Sequence, residues 1–163
     1  MGSRNPWSMW ETFKKPSRRL AGIALCLLGW IVAASWSRGQ DQSIRLSLAT
    51  NKASYDRGEQ VELTLTVTNA GKEPAALSFR SAKQYDFIIK EDEKELWRWS
   101  QGRMFAQALT TLTLQARESK SFPVVWPQTS RDGSQIRPGS YEAVAILSLS
   151  GHPLSTSARL EIR

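Results

Sequence analysis

The sequence predicts an all-β fold: an immunoglobulin-like antiparallel β-sandwich of about eight strands, preceded by one N-terminal apolar export or membrane helix. Three observations lead to this prediction. Apolar and polar residues alternate along most segments after residue 43, which is the period of half-buried strands. Turn-forming residues separate these segments at intervals typical of a sandwich. Outside the apolar run at 20–37, no segment has the period of a helix.

The start of the chain differs in composition from the rest. Residues 1–19 are a basic N-terminal region, and residues 20–37 are an uncharged, apolar run between Arg19 and Arg38. This run has the length of a short transmembrane helix, and it equally fits the apolar region of a signal peptide. A cleaved signal and an uncleaved anchor both remain open. Residues 38–43 are predicted to be a linker.

The positive charge of the chain is concentrated in its N-terminal region. The net charge is +7, from 22 basic and 15 acidic residues. Residues 1–39 hold six of the basic residues and one acidic residue, which leaves 16 basic and 14 acidic residues in the remainder. So small a surplus does not favour binding to a phosphate backbone, and no nucleic-acid partner is expected.

The basic N-terminal region also predicts a location for the β domain. Basic residues beside an apolar helix tend to stay on the cytoplasmic side of a membrane. The β domain is therefore expected to be extracytoplasmic. It would be secreted if the N-terminal segment is cleaved, and anchored to the cell membrane by that segment if it is not.

The chain has one cysteine and one histidine, and these counts exclude several kinds of site. Cys26 lies inside the apolar run, and His152 lies in a predicted turn. One cysteine cannot form an internal disulfide, and a zinc site of clustered Cys and His ligands is not available. The sequence also has no Gly-rich phosphate loop and no clustered carboxylate motif. We expect no metal, no cofactor and no catalytic residue, and predict that the protein is not an enzyme.

Predicted strands follow one another through the β domain, which is expected to span residues 44–163. The most regular is 61–68, where Val and Leu alternate with Glu and Thr. Pro123 favours an edge strand or a bulge for its own segment. The other predicted strands alternate or are apolar runs, and they lie at 44–48, 74–79, 85–89, 96–99, 109–114, 121–126, 141–149 and 154–162.

The segment from Tyr85 to Ser100 is predicted to form a hairpin with a charged turn. Tyr85 and Phe87 share a face of its first strand, and Trp97 and Trp99 share a face of its second. Two interpretations of the tryptophans remain open. They form either the inner wall of the sandwich core or an exposed aromatic platform for a ligand.

Tyr141 follows a turn, Pro138-Gly139-Ser140, and enters a late strand. This placement is typical of the tyrosine corner of sandwich domains. In that motif the tyrosine hydroxyl bonds to backbone a few residues upstream. The sequence therefore predicts that the Tyr141 hydroxyl caps nearby backbone.

Five motifs occur in a particular order along the β domain. They are Leu65-Thr66-Val67-Thr68-Asn69, Gln84-Tyr85-Asp86-Phe87, Glu95-Leu96-Trp97-Arg98-Trp99-Ser100, Met104-Phe105-Ala106-Gln107-Ala108-Leu109 and Pro138-Gly139-Ser140-Tyr141. Together they resemble the BsuPI domain, the intracellular proteinase inhibitor family of bacteria. The resemblance covers about Leu46 to Leu149 and implies an immunoglobulin-like domain that inhibits serine proteases. Its structural signature is Tyr85, Phe87, Trp97, Trp99 and Tyr141, and the turn Glu91–Lys94 lacks the glycine expected in the family's hairpin.

Two functions remain open. In the first, the protein partner is a serine protease, and a rigid loop occupies its cleft. The best candidate loop is Gly102, Arg103, Met104 and Phe105, which offers a basic or a large apolar side chain to a specificity pocket. Alternatively, Met104 and Phe105 fold back onto the end of the sandwich. In the second function, the domain is a cell-envelope interaction module that binds a protein without inhibiting it.

Overall fold

A computed structural model describes residues 43–163 of the chain. The predicted basic region, the apolar helix and the linker up to residue 42 lie outside the described residues. Within residues 43–163, no helix is long and apolar enough to cross a membrane. Ten strands follow in chain order: β1 (Ile44–Thr50), β2 (Ser54–Tyr55), β3 (Val61–Asn69), β4 (Ala75–Phe79), β5 (Tyr85–Glu91), β6 (Lys94–Arg98), β7 (Thr110–Leu114), β8 (Ser119–Trp126), β9 (Gly139–Leu147) and β10 (Leu154–Ile162).

The ten strands form three sheets. β3 lies between β1 and β8 in a three-stranded antiparallel sheet, and β4 pairs with β7 in a two-stranded antiparallel sheet. The largest sheet has five strands in the order β2-β10-β9-β5-β6. Its pairs are antiparallel except for β2 with β10, which is parallel. The prediction of an all-β domain is confirmed.

The alternating sequence pattern becomes a buried face in the central strands. On β3, Val61, Leu63, Leu65 and Val67 have no exposed surface, whereas the residues between them are partly or fully exposed. β9 alternates in the same way from Tyr141 onward. A register shift of one residue would turn the whole apolar set of β3 toward solvent, so burial of this face fixes the pairing.

Aromatic rings fill the space between the three-stranded and the five-stranded sheets. Trp126 at the end of β8 is fully buried, and its ring centroid lies 6.5 Å from that of Trp97 on β6 and 6.0 Å from that of Tyr141 on β9. Phe122 on β8 lies 4.6 Å from Tyr85 on β5. Each contact joins a strand of one sheet to a strand of the other, so these sheets are the two layers of a β-sandwich.

Apart from shifts of one or two residues at strand ends, the strand layout differs from the sequence-based prediction at two places. β2 lies in a segment predicted to be only a turn, where Tyr55 is buried and donates its hydroxyl hydrogen to the Asn51 side chain at 2.6 Å. β6 ends at Arg98, so Trp99 follows the strand and does not lie on it. The Trp99 N–H still donates to the Phe87 carbonyl at 2.9 Å, but at the next residue the backbone N–H and the hydroxyl of Ser100 both donate to the Asp86 side chain, and strand pairing does not continue.

A two-residue turn, Asp92-Glu93, joins β5 to β6, because Glu91 pairs directly with Lys94. Asp92 has a φ of 51°, in the left-handed region that glycine adopts freely. Aspartate tolerates this conformation better than most residues. The hairpin therefore closes without the glycine that the family resemblance led us to expect.

Candidate functional site

The predicted partner-binding loop connects β6 to β7, and local backbone contacts shape its start. The N–H of Gln101 donates to the Arg98 carbonyl, and the N–H of Arg103 donates to the Ser100 carbonyl, each at 3.2 Å. Gly102 between them has a φ of 72°, and a Cβ at this position would meet no atom within 4 Å. The backbone angle, not the available space, favours glycine here.

Two side chains of the loop are held on Trp99. Arg103 donates from Nε to the Trp99 carbonyl at 2.9 Å, and its guanidinium carbon lies 4.6 Å from the centre of the Trp99 ring. The ring of Phe105 lies 5.7 Å from the same ring. Arg103 therefore combines a hydrogen bond with a cation–π contact, and Phe105 adds aromatic packing. The loop is anchored on both sides of Met104.

Met104 is the exposed residue between these two anchors. Its exposed fraction is 96%, the highest of any large apolar side chain in the described part of the chain. Within residues 43–163, neither its backbone nor its side chain makes a hydrogen bond. One alternative was that Met104 and Phe105 both fold back onto the sandwich. Phe105 does so, but Met104 projects into solvent.

Trp99 connects the loop to the core of the sandwich. Its ring stacks on that of Tyr85, with centroids 4.7 Å apart and an angle of 28° between the planes. Tyr85 in turn contacts Phe122 and, edge to face at 5.9 Å, Phe87. Trp99 is partly buried, and Arg103 and Phe105 cover part of its remaining surface. Trp99 therefore does not present an unoccupied aromatic platform, because Arg103 and Phe105 contact its ring.

Trp97 also packs against the core, at a different place from Trp99. Its ring meets Trp126, which is fully buried and donates from Nε1 to the Thr129 carbonyl at 2.9 Å. The fully buried Phe87 lies on the same strand pair and belongs to the same apolar cluster. These contacts place Trp97 at the inner wall of the sandwich, and they leave it no role in the loop.

The Tyr141 hydroxyl donates to the carbonyl of Arg137 at 2.6 Å, four residues upstream. Burial raises the pKa of this hydroxyl above its usual value. The bond holds the end of the loop before β9 against the strand. The capping contact predicted from the Pro-Gly-Ser-Tyr turn is present.

A buried carboxylate, Asp86, lies beside the candidate loop and was not singled out from the sequence. Its side chain is 2% exposed and accepts hydrogen bonds from Lys83 at 3.0 Å, Arg98 at 3.1 Å and the Ser100 hydroxyl at 2.6 Å. The backbone N–H groups of Phe87 and Ser100 donate to its other oxygen. A charge this buried is stable only with such partners.

The contacts of Asp86 keep it ionised. Burial alone would raise the pKa of Asp86, but hydrogen bonds from Ser100 and Lys83, and the positive charge of Lys83, outweigh burial and hold the pKa below its usual value. Arg98 also pairs with Glu95, whose pKa is lowered mainly by that hydrogen bond. The ionised Asp86 carboxylate therefore holds in place the segment that leads into the loop.

An open cleft of about 530 Å³ borders the loop. Its lining includes Lys83 and Ser100 from the Asp86 cluster, and Arg103, Met104 and Phe105 from the loop. No group of three or more His, Cys, Asp or Glu side chains in residues 43–163 could hold a metal ion. What the site offers is a shaped surface with one projecting apolar side chain.

The structure therefore defines a β-sandwich that carries an anchored loop at one end, and nothing in the loop resembles a catalytic centre. Residues 48–151, more than half of the chain, match the family model BsuPI, described as intracellular proteinase inhibitor. The protein belongs to this family. The resemblance inferred from the sequence is confirmed, and the family is described by inhibition, with a proteinase as its partner, and not by catalysis.

Comparisons beyond the family are distant. No curated protein sequence matches this chain significantly. Among solved structures, Bacillus subtilis Spo0M, a sporulation control protein, has 21% identity and a TM-score of 0.47 over 74% of this chain and 49% of its own. The Pseudomonas fluorescens DNA glycosylase AlkC has 17% identity and a TM-score of 0.45, over 74% and 30%. The chain thus spans half or less of these two proteins, and neither similarity bears on its function.

The extracytoplasmic location predicted from the N-terminal region is wrong, because the family to which the chain belongs is described as an intracellular inhibitor. That prediction rested only on the composition of residues 1–37, which lie outside the described residues.

Proposed function

We propose that this protein inhibits a serine protease by inserting the loop Gly102–Phe105 into the active-site cleft of the enzyme. The observation that carries the proposal is a contrast within the loop. Met104 is 96% exposed, whereas its neighbours Arg103 and Phe105 are both held on Trp99. A projecting side chain on an anchored backbone is what a protease specificity pocket can accept.

Preorganisation is the physical basis of the proposed inhibition. A flexible peptide loses conformational freedom when it enters a cleft, and this loss weakens its binding. Here the positive φ of Gly102, the two turn hydrogen bonds and the packing on Trp99 restrict the loop before it meets an enzyme. Less freedom remains to be lost, so a larger part of the contact energy appears as affinity.

The proposed scaffold is an immunoglobulin-like sandwich. The strand order β1-β3-β8 corresponds to strands A, B and E of that fold, and β10-β9-β5 corresponds to G, F and C. The tyrosine corner at Tyr141 lies near the start of β9, which takes the place of strand F. In this assignment, the candidate loop follows β6, next to strand C, at one end of the sandwich.

A titration of the full chain against trypsin, chymotrypsin and subtilisin tests the proposed function. We expect at least one enzyme to lose activity as the protein is added at micromolar concentration. The combined change Arg103→Gly, Met104→Ser and Phe105→Gly should remove this inhibition. Leu109→Ala is the matched control, because Leu109 is also strongly exposed, at 84%, but lies beyond the loop.

Two results would contradict the proposal. If none of the three enzymes is inhibited, the chain is not an inhibitor of common serine proteases. If inhibition survives replacement of the loop, another surface makes the contact. Binding to a protease with no loss of its activity would favour the second function, an interaction module without inhibition.

A further inference from the structure

We infer that Met104 is the side chain that enters the primary specificity pocket, so that the target is a serine protease with an apolar pocket. This inference rests on the proposed function and adds the class of enzyme to it. The sequence alone left a basic side chain, Arg103, and two large apolar ones, Met104 and Phe105, open for this position. The structure separates them.

Arg103 is already engaged within the protein. Its Nε donates to the Trp99 carbonyl at 2.9 Å, and its guanidinium stacks on the Trp99 ring at 4.6 Å. To fill a deep acidic pocket, the side chain would give up both contacts and remove one of the two anchors of the loop. Binding of Arg103 in the pocket of a trypsin-like enzyme would therefore loosen the loop conformation on which that binding depends.

Phe105 is the other neighbouring candidate, and it is also engaged. Its ring lies 5.7 Å from that of Trp99, and the residue is partly buried. Met104 has neither restraint, since it is 96% exposed and makes no hydrogen bond within residues 43–163. Methionine is unbranched and flexible, so it adapts readily to the shape of an apolar pocket. Its transfer from water into that pocket is favourable.

The same geometry assigns the peptide bond that the protease attacks. With Met104 in the specificity pocket, the reacting carbonyl is that of Met104, and the bond at risk is Met104–Phe105. Hydrolysis would consume one water and leave a carboxylate on Met104 and an ammonium group on Phe105. Arg103 and Phe105 are both held on Trp99, so the two new ends would stay close together. Slow net cleavage follows, because rejoining competes with release.

Inhibition constants of the full chain and two variants against chymotrypsin and trypsin test this inference. Chymotrypsin has an apolar specificity pocket, and trypsin has an aspartate in its pocket. We expect the unmodified chain to inhibit chymotrypsin more strongly than trypsin. Met104→Lys should weaken inhibition of chymotrypsin by ~100-fold or more, because an ammonium group would be buried without a partner, and should strengthen inhibition of trypsin. Met104→Leu should stay within about tenfold of the unmodified chain.

Because Met104 is almost fully exposed, neither variant should alter folding, and matching thermal unfolding curves verify this. Mass spectrometry of the chain after long incubation with chymotrypsin should find cleavage at Met104–Phe105. If inhibition of chymotrypsin is unchanged in Met104→Lys, or if the unmodified chain inhibits trypsin more strongly than chymotrypsin, the inference is wrong and the inhibitory function stands. If the unmodified chain inhibits neither these enzymes nor subtilisin, both are wrong.

Discussion

The carboxylate of Asp86 accepts a hydrogen bond from the guanidinium of Arg98 at 3.1 Å. Asp86 lies in the Tyr-Asp-Phe motif, and Arg98 lies in the Trp-Arg-Trp-Ser motif, so this bond joins two of the motifs on which the resemblance to the family was based. Ser100, from the second motif, donates to the same carboxylate. The two motifs therefore meet in one ion cluster around the buried Asp86 carboxylate, and this cluster fixes the chain where it leaves β6 for the candidate loop.

Asp86→Asn should lower the free energy of unfolding by about 2 kcal/mol, because charge-assisted hydrogen bonds to a buried group are lost while Lys83 and Arg98 can still reach solvent. Urea denaturation at pH 7 measures the change. Glu95→Gln is the matched control: it removes the other carboxylate bound to Arg98, but Glu95 is 31% exposed, and the cost should be below about 1 kcal/mol. Equal stability of Asp86→Asn and the unmodified protein would contradict the buried cluster.

The lowered pKa of Asp86 predicts the pH dependence of stability. Its pKa in the folded protein lies below the usual 3.8, so the unfolded chain binds the proton more readily. The stabilisation is present above pH 3.8 and is lost as the pH falls through the folded-state value. The difference in unfolding free energy between the unmodified protein and Asp86→Asn should therefore shrink below pH 3.8. Urea titrations at several pH values from 7 downward measure it, and a difference that widens toward low pH would contradict the prediction.

The parts of the fold that could be predicted from the sequence are those whose burial follows a period of two. β3 alternates over its whole length and was recognised for that reason. β2 could not be predicted, because a strand of two residues is too short to show an alternating pattern. Its pairing partner also lies far away in the sequence, since Ser54 pairs with Glu161. The alternation that Trp97 begins predicts a strand position for Trp99 as well. Nothing in that pattern reveals that Ser100 donates hydrogen bonds to Asp86 and that the strand ends before it.

The position of the candidate loop was predictable, but its internal arrangement was not. Gly102 and the absence of alternation mark a loop in the sequence. Which of Arg103, Met104 and Phe105 projects depends on the position of Trp99, and that depends on stacking with Tyr85 across the sheet. Asp86 left a weak signal, an acidic residue between two aromatic residues of an apolar strand. A strand buried on both faces tolerates a charged residue only when hydrogen-bonding and charged partners reach it.

The two tryptophans of the hairpin should separate in their effects. Trp99→Ala removes the ring on which Arg103 and Phe105 pack, while the backbone carbonyl that accepts from Arg103 remains, so we expect at least about tenfold weaker protease inhibition and a loss of about 2 kcal/mol in stability. Trp97→Ala removes a contact with Trp126 and should cost similar stability, with inhibition unchanged at temperatures where the variant is folded. Inhibition constants and urea curves measure both. Equal loss of inhibition in the two variants would contradict the role of Trp99 as the loop anchor.

Oxidation of Met104 should strongly weaken the inhibition of chymotrypsin. Hydrogen peroxide converts an exposed methionine to its sulfoxide, which is polar, so a side chain suited to an apolar pocket becomes unsuited to it. We expect at least about tenfold weaker inhibition of chymotrypsin after treatment, because the sulfoxide would be buried without a hydrogen-bond donor. Met104→Leu is the matched control, since leucine resists peroxide while Met1 and Met9 remain present to be oxidised. If the treated variant loses inhibition as the unmodified protein does, the loss has another cause. If the treated unmodified protein keeps full inhibition with Met104 oxidised, as read by mass spectrometry, Met104 does not enter the pocket.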